Sequence, residues 1–326
     1  MAGNRGNGMR LREQETCLRS LLAEGREILH RAGIEEDAAD ARALLLFSFG
    51  ISLAGYALDA ERPVPETDER VLSYRAALGR RAAREPLQYI TGSQDFCGLM
   101  IRTDRRALIP RQDTEVLVET VLNDTGRLKG LTLLDLCTGT GCIALALKRL
   151  GGFSSVTGSD LSEDALSLAR ENAAALGEDV SFVRADLFRR LAEERESGAA
   201  EAARERKTSR QVFVTDFPGV YDVITANPPY IRSGDIEALM PEVRSFEPVS
   251  ALDGAPDGLS FYRRLAAECP AHLVPGGRLY LEIGCWQAAD VAGLLEKQFM
   301  EIRVIRDLSG LDRVVAARRK PEDAAV

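Results

Sequence analysis

Two kinds of hydrophobic pattern divide the chain. Up to about residue 85, apolar positions recur at helical spacing: Leu18, Leu21, Leu22, Ile28 and Leu29, then Ala38, Ala41, Leu44, Leu45 and Ala54. Steps of three and four residues gather such side chains on one helix face. Gly33, Gly50, Pro63 and Pro65 interrupt the pattern before it resumes at 71–83, which predicts a small bundle of four or five helices. From Leu131 onward, short apolar runs alternate with helical stretches. Strands are expected at 132–136, 154–159, 180–184, 221–226, 277–283, 302–305 and 313–317, with helices at 142–150, 163–176, 259–267 and 288–298. This alternation predicts an α/β fold with a mostly parallel, doubly wound, Rossmann-like sheet, in which ligands sit at the carboxyl ends of the strands.

Between the two patterns, the β-prone runs 87–92 and 96–101 flank a Gly92-Ser93-Gln94-Asp95 turn and predict a β-hairpin linker. The expected organisation is therefore a helical N-terminal domain (1–85), a hairpin (86–107) and an α/β domain (108–326). Residues 189–210, rich in Ala, Arg and Glu, read as a flexible insertion or a solvated helix acting as a spacer.

Composition narrows the function. The 326 residues carry 42 Lys+Arg against 50 Asp+Glu, a net charge of −8, and 45% are hydrophobic. That balance excludes wholesale disorder, and the negative sign argues against nonspecific nucleic-acid binding. The two histidines, His30 and His272, cannot build a multi-histidine metal site or readily centre a triad, and they read as surface or capping residues. Six scattered cysteines without a CxxC pair suggest buried thiols in a reducing compartment. The polar start (1–10) lacks a signal-peptide pattern. The apolar stretch 43–58, interrupted by Ser48, Gly50 and Ser52, is too short to span a bilayer and reads as a core helix and a turn. A cytoplasmic protein with no membrane partner and no metal is expected.

Four strand ends carry the chemistry. The first runs Leu133-Leu134-Asp135-Leu136 into Cys137-Thr138-Gly139-Thr140-Gly141 and a helix, a turn where glycines admit a ligand to free N–H groups. The second ends in Asp160, able to accept both ribose hydroxyls or to cap the next helix. The third ends in Asp186, followed by Leu187, where an acceptor could reach an adenine amine. Together they point to an adenosyl ligand. The fourth runs Val223-Ile224-Thr225-Ala226 into Asn227-Pro228-Pro229-Tyr230. Two prolines fix φ and remove two donors, leaving carbonyls as open acceptors, while Asn227 adds a side-chain carbonyl and Tyr230 a flat wall. Such a corner suits an –NH2 group.

These motifs resemble the S-adenosylmethionine-dependent amino-methyltransferases of the seven-stranded class. Further segments are similar to the peptide chain release factor glutamine methyltransferase family: 84–92 (REPLQYITG), 108–119 (LIPRQDTEVLVE), Phe246-Glu247-Pro248, 281–284 (LEIG) and 307–314 (DLSGLDRV). The resemblance runs from about residue 15 to 318. It implies a seven-stranded sheet, an N-terminal release-factor-binding domain, S-adenosylmethionine as methyl donor with S-adenosylhomocysteine as product, and methylation of the glutamine N5 in a Gly-Gly-Gln loop. It assigns Asn227, Pro228, Pro229 and Tyr230 to catalysis, and Cys137, Thr138, Gly139, Thr140, Gly141, Asp160, Asp186, Leu187 and Asn227 to the cofactor. Cys137 stands where the family often has a glycine, and Leu187 where it often has an aromatic residue.

Other residues read more plainly. Trp286 reads as packing, Arg111 as either a ligand contact or a structural ion partner, and Glu247 as ordering the loop after Tyr230. A nucleic-acid N-methyltransferase would use the same Asn-Pro-Pro-Tyr corner on a flipped base, but it wants a basic, aromatic-studded recognition region that the N-terminal residues lack. A non-catalytic translation-associated binding module is disfavoured by the intact Asn227 and Asp160.

Overall fold

The structure, a computed structural model, describes residues 14–126, 128–191, 213–217 and 219–321. The chain divides into two compact units, Met1–Thr91 and Gly92–Val326.

The first unit contains β1 (Glu15–Cys17), α1 (Leu18–Arg31), α2 (Asp37–Phe49), α3 (Leu53–Asp59), β2 (Pro63–Pro65), α4 (Glu69–Ala82) and α5 (Leu87–Thr91). Its core includes Leu21, Leu29, Leu44 and Leu45, as the spacing predicts, together with Tyr74 and Leu78 of α4, all fully buried, whereas Ala38 and Ala54, also expected on the apolar face, are exposed. Gly25 is there because Tyr74 needs the space. A Cβ at that position would lie 1.9 Å from the tyrosine oxygen, whose hydroxyl donates to the Leu21 carbonyl at 3.2 Å. Gly50, at φ 62, ends α2 in the left-handed region that glycine tolerates, and Ser52 Oγ caps α3 by accepting from the Gly55 N–H at 3.1 Å. The apolar stretch 43–58 is thus broken into two helices bent by 83°. No single helix among the described residues is long and apolar enough to cross a membrane.

Two local expectations in this region are corrected. Residues 87–91 form a helix, not a strand: the N–H groups of Tyr89 and Ile90 both turn back to the Pro86 carbonyl. A five-residue run with only three apolar positions does not distinguish helix from strand by period, and a proline ahead of it starts a helix well. The hairpin that does form pairs β3 (Ser93–Phe96) with β4 (Leu99–Arg102) around Cys97-Gly98, and it belongs to the second unit. The proline-flanked Val64, expected only as a break between helices, lies in β2, which pairs antiparallel with β1 at the start of a stretch read as helical.

The rest of the second unit runs α6 (Gln112–Thr125), β5 (Thr132–Leu136), α7 (Cys142–Gly151), β6 (Ser155–Asp160), α8 (Glu163–Leu176), β7 (Ser181–Asp186), β8 (Arg189–Leu191), β9 (Phe213–Asp216) and β10 (Tyr221–Ala226). It continues with α9 (Pro241–Arg244), α10 (Ser260–His272), β11 (Leu273–Glu282), α11 (Ala288–Leu295), β12 (Phe299–Arg306) and β13 (Asp312–Arg319). The expected seven strands lie in the order β12-β13-β11-β10-β5-β6-β7, parallel except for the antiparallel β13. The short β8 and β9 extend the β7 edge antiparallel. Of the expected insertion 189–210, residues 189–191 form β8, and the remainder lies outside the described residues.

Alternation along the strands feeds two apolar layers. Leu134, Leu136, Ile224 and Leu281 pack with Tyr262, Leu265 and Cys269 of α10 and with Val291 and Leu295 of α11. Leu133, Val223 and Tyr280 pack on the other face with Leu117, Val118 and Val121 of α6 and with the inner side of α7. Strand order reverses between β5 and β10, so their loops diverge there and leave a crevice above the sheet.

Candidate active site

The site grows from strand register. Ala226 lies opposite both Leu136 and Leu281, so the next residues along three adjacent strands, Cys137, Asn227 and Glu282, reach the carboxyl edge together. A cleft lies over that edge. Its walls include Cys137, Thr138, Gly139, Thr140, Asp160, Asp186, Leu187, Asn227 and Pro229. Nine of the twelve residues singled out from sequence therefore share one cavity. Gly141, Pro228 and Tyr230 do not line it.

The loop between β5 and α7 is held from below. Asp135, completely buried, accepts from the Thr138 hydroxyl at 2.6 Å and the Thr225 hydroxyl at 2.8 Å. Burial nevertheless pushes its carboxyl up to about 7, because removing the charge from water outweighs the two hydroxyls. Gly139, at φ 56, faces open space, where a Cβ would come no nearer than 4.0 Å to another side chain. Gly141 serves packing instead. At φ 81 it starts α7, and a Cβ there would press on Ala169 and Phe182 at 3.2 Å. Cys137 adopts φ 56, a left-handed conformation that costs a non-glycine residue free energy. Its side chain packs against the apolar layer under α10, and burial raises its thiol well above the ordinary range.

Asp160 does not cap α8; that role falls to Ser162. One carboxylate oxygen accepts from the Gly139 N–H at 2.9 Å and the other from the Ser162 N–H at 2.9 Å, while Ser162 Oγ caps α8 by accepting from the Ala165 N–H at 3.2 Å. The Asp160 carboxylate thus ties two strand-end loops together at the cleft wall. Asp186 accepts from the Arg264 guanidinium of α10 at 2.7 Å. Leu187, at φ 53, lines the cleft beside it.

The Asn-Pro-Pro-Tyr corner splits in two. The Asn227 side chain and Pro229 face the cleft, and Asn227 Nδ2 lies 3.4 Å from the Thr114 hydroxyl of α6. The Pro228 carbonyl accepts no hydrogen bond among the described residues. Tyr230 leans into the α10 layer, and its carbonyl accepts from Gln287 Nε2 at 3.3 Å. Burial, then the nearby Glu282 carboxylate, pushes the Tyr230 phenol up to about 12.

Several walls carried weaker signals in the chain. Ala107 to Arg111 form one side and Pro248, Ser250 and Ala251 another. Glu247 ties the two: it accepts from the Ile109 N–H at 3.3 Å and pairs with Arg111. Of the alternatives for Arg111, the ion pair is present, and its side chain also lines the cleft. Trp286 is half exposed rather than packed inside, with its ring edge against Gly284, where a Cβ would lie 3.0 Å from it. His272 stacks on Phe188 with centroids 4.3 Å apart, and His30 pairs with Asp37 at 2.9 Å. Thr114 and Glu282 were quoted only inside longer segments; neither position announces itself without the fold.

Comparison with known proteins agrees with this architecture. Residues 20–92 match the family model of the PrmC N-terminal domain, and residues 133–203 match that of a methyltransferase domain. The release factor glutamine methyltransferase of Geobacter sulfurreducens is 36% identical over 302 residues, covering 92% of this chain and 96% of its own. That of Cereibacter sphaeroides is 41% identical, covering 89% and 94%, and that of Rhodospirillum rubrum 39% identical, covering 98% and 90%. At that identity over nearly the full length of both partners, the chain belongs to the release factor glutamine methyltransferase family.

Proposed function

We propose that the protein transfers a methyl group from S-adenosylmethionine to the side-chain amide nitrogen of the glutamine in the Gly-Gly-Gln loop of a peptide chain release factor. The observation that carries this reading is the meeting of two half-sites in one cleft: Gly139 and Asp160 on one side, Asn227 and Pro229 on the other. The first half fits the cofactor. Gly139 leaves the backbone approachable, and Asp160 offers a carboxylate at the strand end where a ribose diol would hydrogen-bond.

S-adenosylmethionine supplies an electrophilic methyl on a sulfonium, so the protein's task is alignment. A carboxamide nitrogen is a poor nucleophile because its lone pair is delocalised. The Asn227 side-chain carbonyl and the Pro228 main-chain carbonyl are assigned to its two hydrogens. As the nitrogen gains positive charge, those acceptors bind it more strongly, which lowers the barrier selectively. The product cation is acidic enough to lose its proton to water, so no protein base is needed. Asp186 and Leu187 are assigned to the adenine end, and Tyr230 to support of the corner from behind.

Mass spectrometry of a release factor after incubation with enzyme and cofactor tests the reading. Addition of one methyl at the Gly-Gly-Gln glutamine, absent when that glutamine is replaced by alanine, is expected. Methyl transfer to RNA with none to the release factor would overturn it.

A further inference from the structure

Glu282 closes β11 and is almost fully buried. It is not on the cleft wall, yet the parallel register places it beside Asn227, which is. One of its oxygens, Oε2, has no hydrogen-bond partner among the described residues, an expensive arrangement that calls for a reason. The Thr114 hydroxyl lies 3.4 Å from Nδ2 of Asn227.

We propose that Glu282 is a positioning residue: its carboxylate draws the Asn227 NH2 group inward, so that Oδ1 of the same amide faces the substrate nitrogen. The inference rests on the reading of Asn227 as an acceptor. An asparagine amide carries its acceptor and its donors on opposite sides of one plane. Turned over, it would present N–H groups to an –NH2 nucleophile and repel it. A carboxylate accepts only, so it selects one of the two orientations. A neutral carboxyl or a carboxamide both donates and accepts, and that selection is lost.

The surroundings bring the choice into the physiological range. Burial pushes the Glu282 carboxyl up to about 7; the nearby Thr114 hydroxyl, the Arg313 charge and the Asn227 amide pull it down, and Asp113 pushes it up. Arg313 comes from β13 and is itself engaged by Asp307 at 3.0 Å and Asp113 at 3.1 Å. From α10, the Tyr262 hydroxyl donates to the Glu282 main-chain carbonyl at 2.7 Å, and Tyr230 faces the group from the loop after β10. A bound sulfonium would favour the ionised form further.

The test is methyl transfer to a release factor by wild type, Glu282→Gln, Asn227→Ala and the double variant, with kcat and KM separated, from about pH 5 to pH 9. Wild-type kcat should fall on the acid side with a midpoint at or below about 7. Glu282→Gln should lower kcat by about 10- to 100-fold, flatten that limb, and leave cofactor affinity and KM for the release factor nearly unchanged. In the Asn227→Ala background it should cost nothing more. Wild-type kcat in Glu282→Gln, or losses that add in the double variant, would overturn the proposal. Should Glu282→Gln lose its fold or its cofactor, the wild-type profile decides, and a flat kcat across the range rejects the role. A wild type that binds cofactor but leaves the release factor unmethylated rejects the functional reading itself, and this proposal with it.

Discussion

Asp135 and Thr225 lie directly opposite each other on β5 and β10, and the Thr225 hydroxyl donates to the Asp135 carboxylate across 2.8 Å with both residues out of solvent. This pair locks the two strands whose ends form the two halves of the site. It also stores a pH dependence. The native Asp135 carboxyl titrates at about 7, against roughly 3.9 in an unfolded chain. Between those values the native state keeps a proton that the unfolded chain has lost, so this contribution to stability is full below pH 4 and declines as pH rises to 7. Burial raises Asp160, Glu247 and Glu282 in the same sense. Asp68 and Asp257, held near 2 by Arg70 and Arg263, act oppositely and only below about pH 4. Asp135→Asn should therefore reduce the loss of unfolding free energy between about pH 5 and pH 8 by about 2–3 kcal/mol. Urea titrations at both pH values check this.

Asn227→Ala should abolish useful turnover while cofactor affinity stays near wild type. One preorganised polar contact of this kind is worth about 3 kcal/mol of barrier, or about 100-fold in kcat. Paired kinetics and calorimetry measure both; normal kcat would remove Asn227 from its role.

Asp160→Ala should weaken cofactor binding by about tenfold or more, since it removes a charged acceptor and leaves the Gly139 and Ser162 N–H groups unpaired. Isothermal titration calorimetry with S-adenosylmethionine reads the effect directly, and unchanged affinity would take Asp160 out of the ribose site.

Cys137 holds a left-handed backbone with a side chain that packs. Replacement by glycine relieves the first and forfeits the second, so Cys137→Gly should change stability by less than about 1 kcal/mol. Cys137→Val keeps the bulk but puts a β-branched residue at φ 56, and it should cost more than about 2 kcal/mol. Thermal melts of the two variants separate strain from packing.

Gly25→Ala should destabilise the N-terminal unit by more than about 2 kcal/mol, although alanine favours a helix by about 1 kcal/mol over glycine. The methyl would meet the buried Tyr74 hydroxyl, which cannot retreat without giving up Leu21. A gain in stability would mean that Tyr74 is free to move.

The chain announced its α/β half well because strand and helix periods alternate there, and the site followed because ligands collect at strand ends. Cys137, Asp160, Asp186 and Asn227 are each the last residue of a strand or the first beyond it, which is legible without coordinates. What stayed hidden depends on partners distant in sequence. Nothing local says that Asp186 will meet Arg264, that Glu247 will bridge to Ile109, or that Glu282 will stand behind Asn227. Gly139 and Gly141 look equivalent in the motif, yet one faces the cleft and the other, at the start of α7, packs against Ala169 and Phe182. Leu87 to Thr91 misled because five residues, three of them apolar, carry too little period to tell a turn of helix from a strand.

The antiparallel pairing of β8 with β9 has a corollary for chain length. Arg189 sits opposite Asp216 and Leu191 opposite Phe213, so the chain leaves the sheet and re-enters it at adjoining points. With its two feet stitched side by side, that span adds closure entropy only slowly as it lengthens. The sheet edge is thus a port where added residues cost the fold little, with the strand ends around the cleft left as they are.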